Sequence, residues 1–211
     1  MRGRLQNYYD FIHSGYDIQV LTPTKKGLLG TIHLNEVLQG VLNPPSEEKR
    51  EKKSGSRIFR EGDKVMQLRN NYMMEWKRDG ETENGKGVFN GDMGRIEDIN
   101  PESGRVSVRY DDRVVVYENE DLMELELAYA ITVHKSQGSE FPAVVMPMTW
   151  FPPMLMTRNL LYTAVTRGKN LVVVVGSEDR MHAMVDNNRI DERYTGLEYR
   201  LRQIDFGNTI G

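Results

Sequence analysis

The sequence has no cysteine, two tryptophans and four histidines among its 211 residues. Without cysteine there is no disulfide framework, no thiolate nucleophile and no thiolate-bound zinc or iron–sulfur centre, and a reducing, cytoplasmic setting fits. The histidines, His13, His33, His134 and His182, are scattered. No acid–base pair or metal-ligand spacing converges around them, so a small-molecule enzyme is disfavoured and no metal ligands are assigned. No apolar run reaches the roughly eighteen residues that a membrane helix needs. The longest uncharged window, Phe141 to Met156, holds four of the eight prolines, and no membrane partner is expected. Charge of one sign is also lacking: twenty-eight Lys plus Arg against thirty-one Asp plus Glu give a net −3, which excludes a uniformly basic nucleic-acid coat. Any nucleic-acid surface must be a local patch.

The machinery for handling a nucleoside triphosphate is missing too. A P-loop ends in Gly-Lys-Ser/Thr, so that backbone amides and one ammonium hold the phosphates. The nearest run, Asn84-Gly85-Lys86-Gly87, has no hydroxyl after the lysine, and no apolar strand ends in an Asp-Glu pair for magnesium. By itself the chain lacks the parts to bind and hydrolyse ATP.

What is present falls into three textures. Asp17 to Leu21 predicts a short strand, and Ile32, Leu34, Val37, Leu38, Val41 and Leu42 recur at helical spacing between an N-cap at Thr31 and a stop at Pro44-Pro45. Ser46 to Ser56, dense in charges of both signs, reads as a solvated loop or linker. From Phe59 to Leu122, short alternating runs such as Lys64–Leu68, Val88–Asp92, Gly94–Ile99, Arg105–Tyr110 and Arg113–Tyr117 predict a small inserted barrel. Beyond it, Leu127–Ser136 and Arg158–Thr166 read as helices, Ala143–Met148 as an apolar strand, Leu171–Val175 as a fully buried strand, and Asp179–Val185 as a further helix. Alternating strands and helices imply a parallel α/β sheet interrupted by the barrel.

Two runs carry chemistry. In Tyr129–Phe141 (Tyr-Ala-Ile-Thr-Val-His-Lys-Ser-Gln-Gly-Ser-Glu-Phe), a helix would set Thr132, Lys135 and Ser136 near one another to grip a phosphodiester backbone. Gly138 would admit a close main-chain approach, and Glu140 could accept from a ribose hydroxyl. The plain alternative is an amphipathic helix closed by a left-handed glycine cap. In Asn159–Lys169, Arg167 at a helix end either complements the helix dipole or serves as an arginine finger on a transferring phosphoryl group.

Taken together and in order, Ala130–Gly138 and Tyr162–Gly168 resemble motifs V and VI of superfamily 1 DNA helicases, in the wording of the RecD-like branch. Leu21–Thr31 resembles that branch's motif IV region. Gly62–Val65, Asn70–Tyr72 and Val88–Gly94 resemble the stretch bearing its SH3-like 2B barrel, and Asn187–Arg189 with Arg193–Leu197 its closing segment.

The resemblance implies a RecA-like (P-loop NTPase-type) parallel-sheet lobe lacking its own P-loop, with an inserted small SH3-like β-barrel. The lobe would comprise residues 1–61 and 122–190, the barrel 62–121 and a tail 191–211. This is the second motor lobe, domain 2A with 2B, of a longer ATP-dependent 5′ to 3′ DNA helicase, inactive as an ATPase alone. ATP and Mg²⁺ would be bound only in the full-length protein. Implied partners are single-stranded DNA, the missing N-terminal RecA-like lobe and further helicase or nuclease subunits. By position, Arg167 would be the finger, Gly138 and Glu140 the nucleotide contacts with Lys25 and Lys26 as further candidates, and Thr132, His134 and Ser136 the DNA contacts. Gly168 stands where many relatives carry alanine, a difference of packing rather than of phosphate contact. The competing reading is a stand-alone DNA- or protein-binding module on a degenerate lobe.

Overall fold

Two kinds of hydrophobic patterning build the two larger sheets of the computed structural model, which describes residues 18–78 and 84–188. In chain order the elements are β1 (Ile18–Thr22), α1 (Thr31–Leu42), β2 (Glu51–Ser54), β3 (Arg57–Arg60), β4 (Lys64–Gln67), β5 (Asn71–Arg78), β6 (Asn84–Val88), β7 (Met93–Ile99), β8 (Val106–Tyr110) and β9 (Arg113–Tyr117). They continue through β10 (Leu125–Leu127), β11 (Ala130–Thr132), β12 (Phe141–Met148), α2 (Arg158–Val165), β13 (Gly168–Gly176) and α3 (Glu178–Asp186). Residue Asp17 of the first expected strand, and Arg189 with Arg193–Leu197 and the tail 191–211, lie outside the described residues.

The continuous apolar runs form a four-stranded parallel sheet in the order β11-β1-β12-β13. Strand β12 is central yet carries two prolines, which the ladder tolerates for a local reason. Pro142 falls in the register shift between Phe141 and Ala143, and Pro147 lies two residues beyond the last β1 pair, Val20↔Val145. Leu21, Val144, Met146 and Met148 pack against Leu160, Leu161 and Ala164 of α2 and Met184 of α3.

The alternating runs form a seven-stranded antiparallel sheet, β10-β4-β7-β8-β9-β5-β6. Strand β8 shows the pattern that makes it: Val106, Val108 and Tyr110 point inward while Ser107 and Arg109 are only partly buried. The whole is a mixed α/β fold, a RecA-like parallel lobe with a small SH3-like β-rich module.

Four local expectations are corrected. Leu127–Ser136 is not a helix but the end of β10, then β11, then a 3-10 turn at Val133–Ser136. An empty slot beside β1 decides this: Val20, Leu21 and Thr22 pair with Ala130, Ile131 and Thr132, whose β-branched members suit a strand. Ser46–Ser56 is not wholly loop, since β2 and β3 form an antiparallel hairpin around Gly55 whose charged residues sit on exposed strands. Val88–Asp92 has the Asn90-Gly91 turn that its sequence predicts, but its strand stops at Val88, because the Phe89 N–H turns to the Asp92 carboxylate at 3.0 Å. Strand β13 is an edge strand with Val174 and Val175 exposed, not fully buried.

Helix α1 forms as its periodicity predicts, with Gly30 rather than Thr31 as N-cap, but the stripe that it buries most deeply is polar, with Leu34 and Leu38 half-buried beside it. Thr31, Asn35 and Gln39 point inward; Ile32, Val37, Val41 and Leu42 are exposed. Asn35 donates to the carbonyls of Leu127 and Ala130 at 2.8 and 3.0 Å and accepts from the Ala130 N–H at 2.7 Å. A polar stripe thus replaces sheet bonds at the lobe's edge, where an apolar one would leave those groups unsatisfied.

Candidate functional site

Strand β11 ends at Thr132, whose side-chain oxygen accepts the Lys135 N–H at 3.3 Å and so opens the 3-10 turn. That turn sorts the motif by exposure. Ser136 is fully buried and donates its hydroxyl to the Val133 carbonyl at 2.7 Å; Thr132 is 8% exposed; His134 is exposed. Of the three expected DNA contacts, His134 alone presents its side chain to solvent. Lys135 folds back onto Glu126 at 3.2 Å. The chain then reverses through Gly138 at φ +86°, a left-handed conformation. A Cβ there would meet nothing within 4 Å, so the glycine answers to backbone geometry and leaves an open approach.

Helix α2 brings the second motif to the same loop. Its N-cap Thr157 accepts from the Leu160 N–H, and its buried stripe Leu160, Leu161 and Ala164 fixes it against the sheet. Arg167, partly buried just past its end, donates from Nε to the Thr163 carbonyl at 3.3 Å, from Nη1 to the Ser139 carbonyl at 3.0 Å and from Nη2 to the Thr166 hydroxyl at 3.3 Å. The helix-end reading is met, since the guanidinium satisfies a helix carbonyl, and the same side chain ties the two motifs together. Among the described residues no carboxylate pairs with it. The Phe141 N–H bonds the Arg167 carbonyl at 2.8 Å, and next to it Glu140 pairs with Lys169 at 3.2 Å. Both side chains of that pair are more than half exposed, so water screens it and the carboxylate exchanges partners easily. Lys169 is a site residue that motif reading passed over; its only signal is its place one residue past Gly168, at the start of β13.

Lys25 and Lys26 sit elsewhere. Thr22 pairs with Thr132 and Val20 with Val145, so Thr132 is level with Pro147, six residues along β12 from Phe141, or about 20 Å. The two lysines, both exposed, follow β1 at that far end, where Lys25 lines a narrow crevice with Thr132 and Lys135. The amides at the start of α1 are already occupied: Thr31 and Ile32 donate to the carbonyls of Thr24 and Lys25 at 3.1 and 3.2 Å. The structure brings Gly138, Glu140, Arg167 and Lys169 together and sets Lys25, Lys26 and Thr132 apart from them.

Gly138, Glu140, Arg167 and Lys169 form the donor set at this end of the sheet. It offers a guanidinium, an ammonium and one carboxylate, with no glycine-rich cradle, and among the described residues no group of three or more His, Asp or Glu could hold a metal ion. No described helix is long and apolar enough to cross a membrane.

Residues 34–110 match the family described as the SH3 domain of ATP-dependent RecD-like DNA helicases, and residues 127–175 match the UvrD-like helicase C-terminal domain. The chain is 35% identical over 189 residues to the ATP-dependent RecD2 DNA helicase of Deinococcus radiodurans, covering 88% of this chain and 23% of that protein. It is 43% identical over 81 residues to the RecBCD enzyme subunit RecD of Mycolicibacterium smegmatis, covering 38% of this chain and 14% of that one. The chain spans less than a quarter of the length of these relatives. Bacteroides Pif1 bound to ssDNA superposes with a TM-score of 0.52 at 19% identity, over 78% of this chain and 42% of Pif1, a likeness of fold.

Proposed function

The chain has a RecD-like and UvrD-like helicase domain architecture with an SH3-like module, and from this premise we propose that it is the second motor lobe of an ATP-dependent 5′ to 3′ DNA helicase. Its division into a lobe of residues 1–61 and 122–190 around a module at 62–121 belongs to the same proposal. Strand β10 then lends three lobe residues to the module's sheet. The lobe closes an ATP site whose phosphate cradle and magnesium ligands come from a preceding RecA-like lobe. ATP with Mg²⁺ supplies the energy when bound there; this chain positions and stabilises. Arg167 reaches the γ-phosphate and offsets charge that develops on it. Glu140 trades Lys169 for a ribose hydroxyl, and Gly138 lets main chain approach. His134 and Thr132 meet single-stranded DNA, with Ser136 supporting the turn from within. In this reading Lys25 and Lys26 stand apart from the rest of the nucleotide set. Subunits of the kind named for the mycobacterial relative, and a cytoplasmic setting, complete the picture.

The observation that carries the proposal is Arg167: a guanidinium without a carboxylate partner among the described residues, bonded at once to the end of α2 and to the loop between Gly138 and Glu140. In the protein that joins both lobes, Arg167→Ala lowers DNA-stimulated ATP turnover by about 10³-fold or more while a fluorescent ATP analogue still binds. Unchanged turnover removes Arg167 from the site. ATP hydrolysis by the purified 211-residue chain on its own defeats the requirement for a first lobe.

A further inference from the structure

The SH3-like module holds two large aromatic rings in solvent while burying two others. Tyr110 and Tyr117 are 3% and 0% exposed and share a 2.6 Å hydroxyl contact inside the module. Tyr72 and Phe89 are 66% and 41% exposed, with ring centroids 5.8 Å apart at 76°. We propose that Tyr72, braced edge-to-face by Phe89, is a stacking platform for an unpaired nucleobase of the strand that the lobe tracks.

The pair is held in place before any ligand arrives. The Asn90 N–H donates to the Asn70 side-chain carbonyl at 2.9 Å, which locks the loop bearing Phe89 to the residue just ahead of β5, the strand that bears Tyr72. Asn70 also donates to the Tyr72 hydroxyl at 3.3 Å. Beneath them, Arg69 and Asn71 both donate to Glu124, at 2.6 and 3.2 Å, and Glu124 is itself 3% exposed. Gly87, at φ +101°, leaves room for the Phe89 ring, whose tip lies 3.2 Å from where a Cβ would stand. A rigid exposed ring offers a base its face at little entropic loss, and such stacking is indifferent to sequence, as a translocating motor requires. Two rings suit a single base; a stable protein partner would need about 800 Å² of contact on this surface.

Position links the platform to the proposed DNA side of the lobe. Lys135, next to His134, bonds Glu126, and Glu126 pairs with Met66 of β4. The six residues from Met66 to Tyr72 span at most about 22 Å, which keeps Tyr72 within that distance of the strand pairing that holds Glu126.

The proposal rests on the reading of the chain as a DNA-contacting lobe, and one titration separates the two. The 211-residue chain is titrated into labelled oligodeoxythymidylate of about 16 nucleotides and into an abasic strand of equal length. The unsubstituted chain binds the thymidylate strand more tightly. Tyr72→Ala with Phe89→Ala loses about tenfold or more on that strand and nothing on the abasic one. Tyr72→Trp keeps the affinity and adds indole quenching at saturation. Equal binding of the two strands by the unsubstituted chain, or thymidylate binding by the double variant at full strength, overturns the platform. So does a loss that is the same on both strands. Binding of neither strand overturns the DNA-contacting reading itself.

Discussion

Ser136 and His134 stand two residues apart in one motif and do different work. The Ser136 hydroxyl is spent on the Val133 carbonyl inside the fold, so Ser136→Ala loses about 1 kcal/mol of stability in denaturant titration. On the proposed function it leaves single-stranded DNA affinity unchanged. His134→Ala does the reverse: the melting curve holds while affinity for a single strand falls about two- to tenfold. Gly138→Ala forces a Cβ into a left-handed conformation at φ +86° and destabilises by about 1 kcal/mol, although the space around it is open. The residue types of this motif were legible in the sequence, but their facing was not. A helix would set Thr132, Lys135 and Ser136 side by side; the strand that β1 demands instead sends Ser136 inward and His134 outward. Arg167 was legible as a helix-end partner, because that contact follows from its place beyond α2; its reading as a finger belongs to the proposed function.

Among the elements, α1 shows where periodicity misleads. Its apolar spacing marks a helix correctly, yet the buried stripe is Thr31, Asn35 and Gln39, since the groups that it must satisfy are backbone edges. Asn35→Ala strands the buried N–H and C=O groups around Ala130 and loses about 3 kcal/mol, more than Leu38→Ala at its half-buried site. The 3-10 turn and the hairpin β2–β3 were invisible for a related reason: long-range pairing, not local propensity, decides them. Electrostatics acts at this scale too. Burial raises the Glu124 carboxyl, but donation from Arg69, Asn71 and Gln67 outweighs it and holds the group below the usual carboxylate range. Burial likewise opposes Glu61, and the N–H groups of Arg50 and Ile99 with the Arg50 guanidinium again prevail. An unfolded chain thus takes up these protons first, so both groups lend stability that is present above about pH 4.3 and lost as pH falls further. Glu124→Gln flattens the acid limb of a stability–pH profile measured in denaturant; an unchanged limb assigns the acid sensitivity elsewhere.

For the whole molecule, the question is whether lobe and module are two bodies or one. Their cores exchange residues. Met66, on module strand β4, packs with Leu21, Val144 and Leu160 of the lobe, while Tyr129 and Leu38 from the lobe side join Val65, Val88 and Tyr117 of the module. A polar network also crosses the seam. Asp63, fully buried, accepts from Gln39, Asn43, Tyr129 and the Arg60 N–H at 2.6 to 2.9 Å. Its neighbour Lys64 donates to Gln19 at 2.8 Å, and Gln19 in turn bonds the carbonyls of Ala128 and Tyr129. Burial raises the Asp63 carboxyl despite these donors, so as pH rises through the interval between its unfolded and folded values this one group subtracts stability, opposite to Glu124. A hub of four donors on one carboxylate admits no partial loosening: removing a donor leaves a buried acceptor short, and removing the carboxylate strands all four. The chain therefore unfolds in one step, with calorimetric and van't Hoff enthalpies equal. Met66→Ala, which empties a site shared by both halves, lowers that single transition by about 2 to 5 kcal/mol without splitting it. Two resolved transitions would mean that the module turns on the lobe as a separate body, and Tyr72 would then swing relative to His134 during translocation instead of advancing with it.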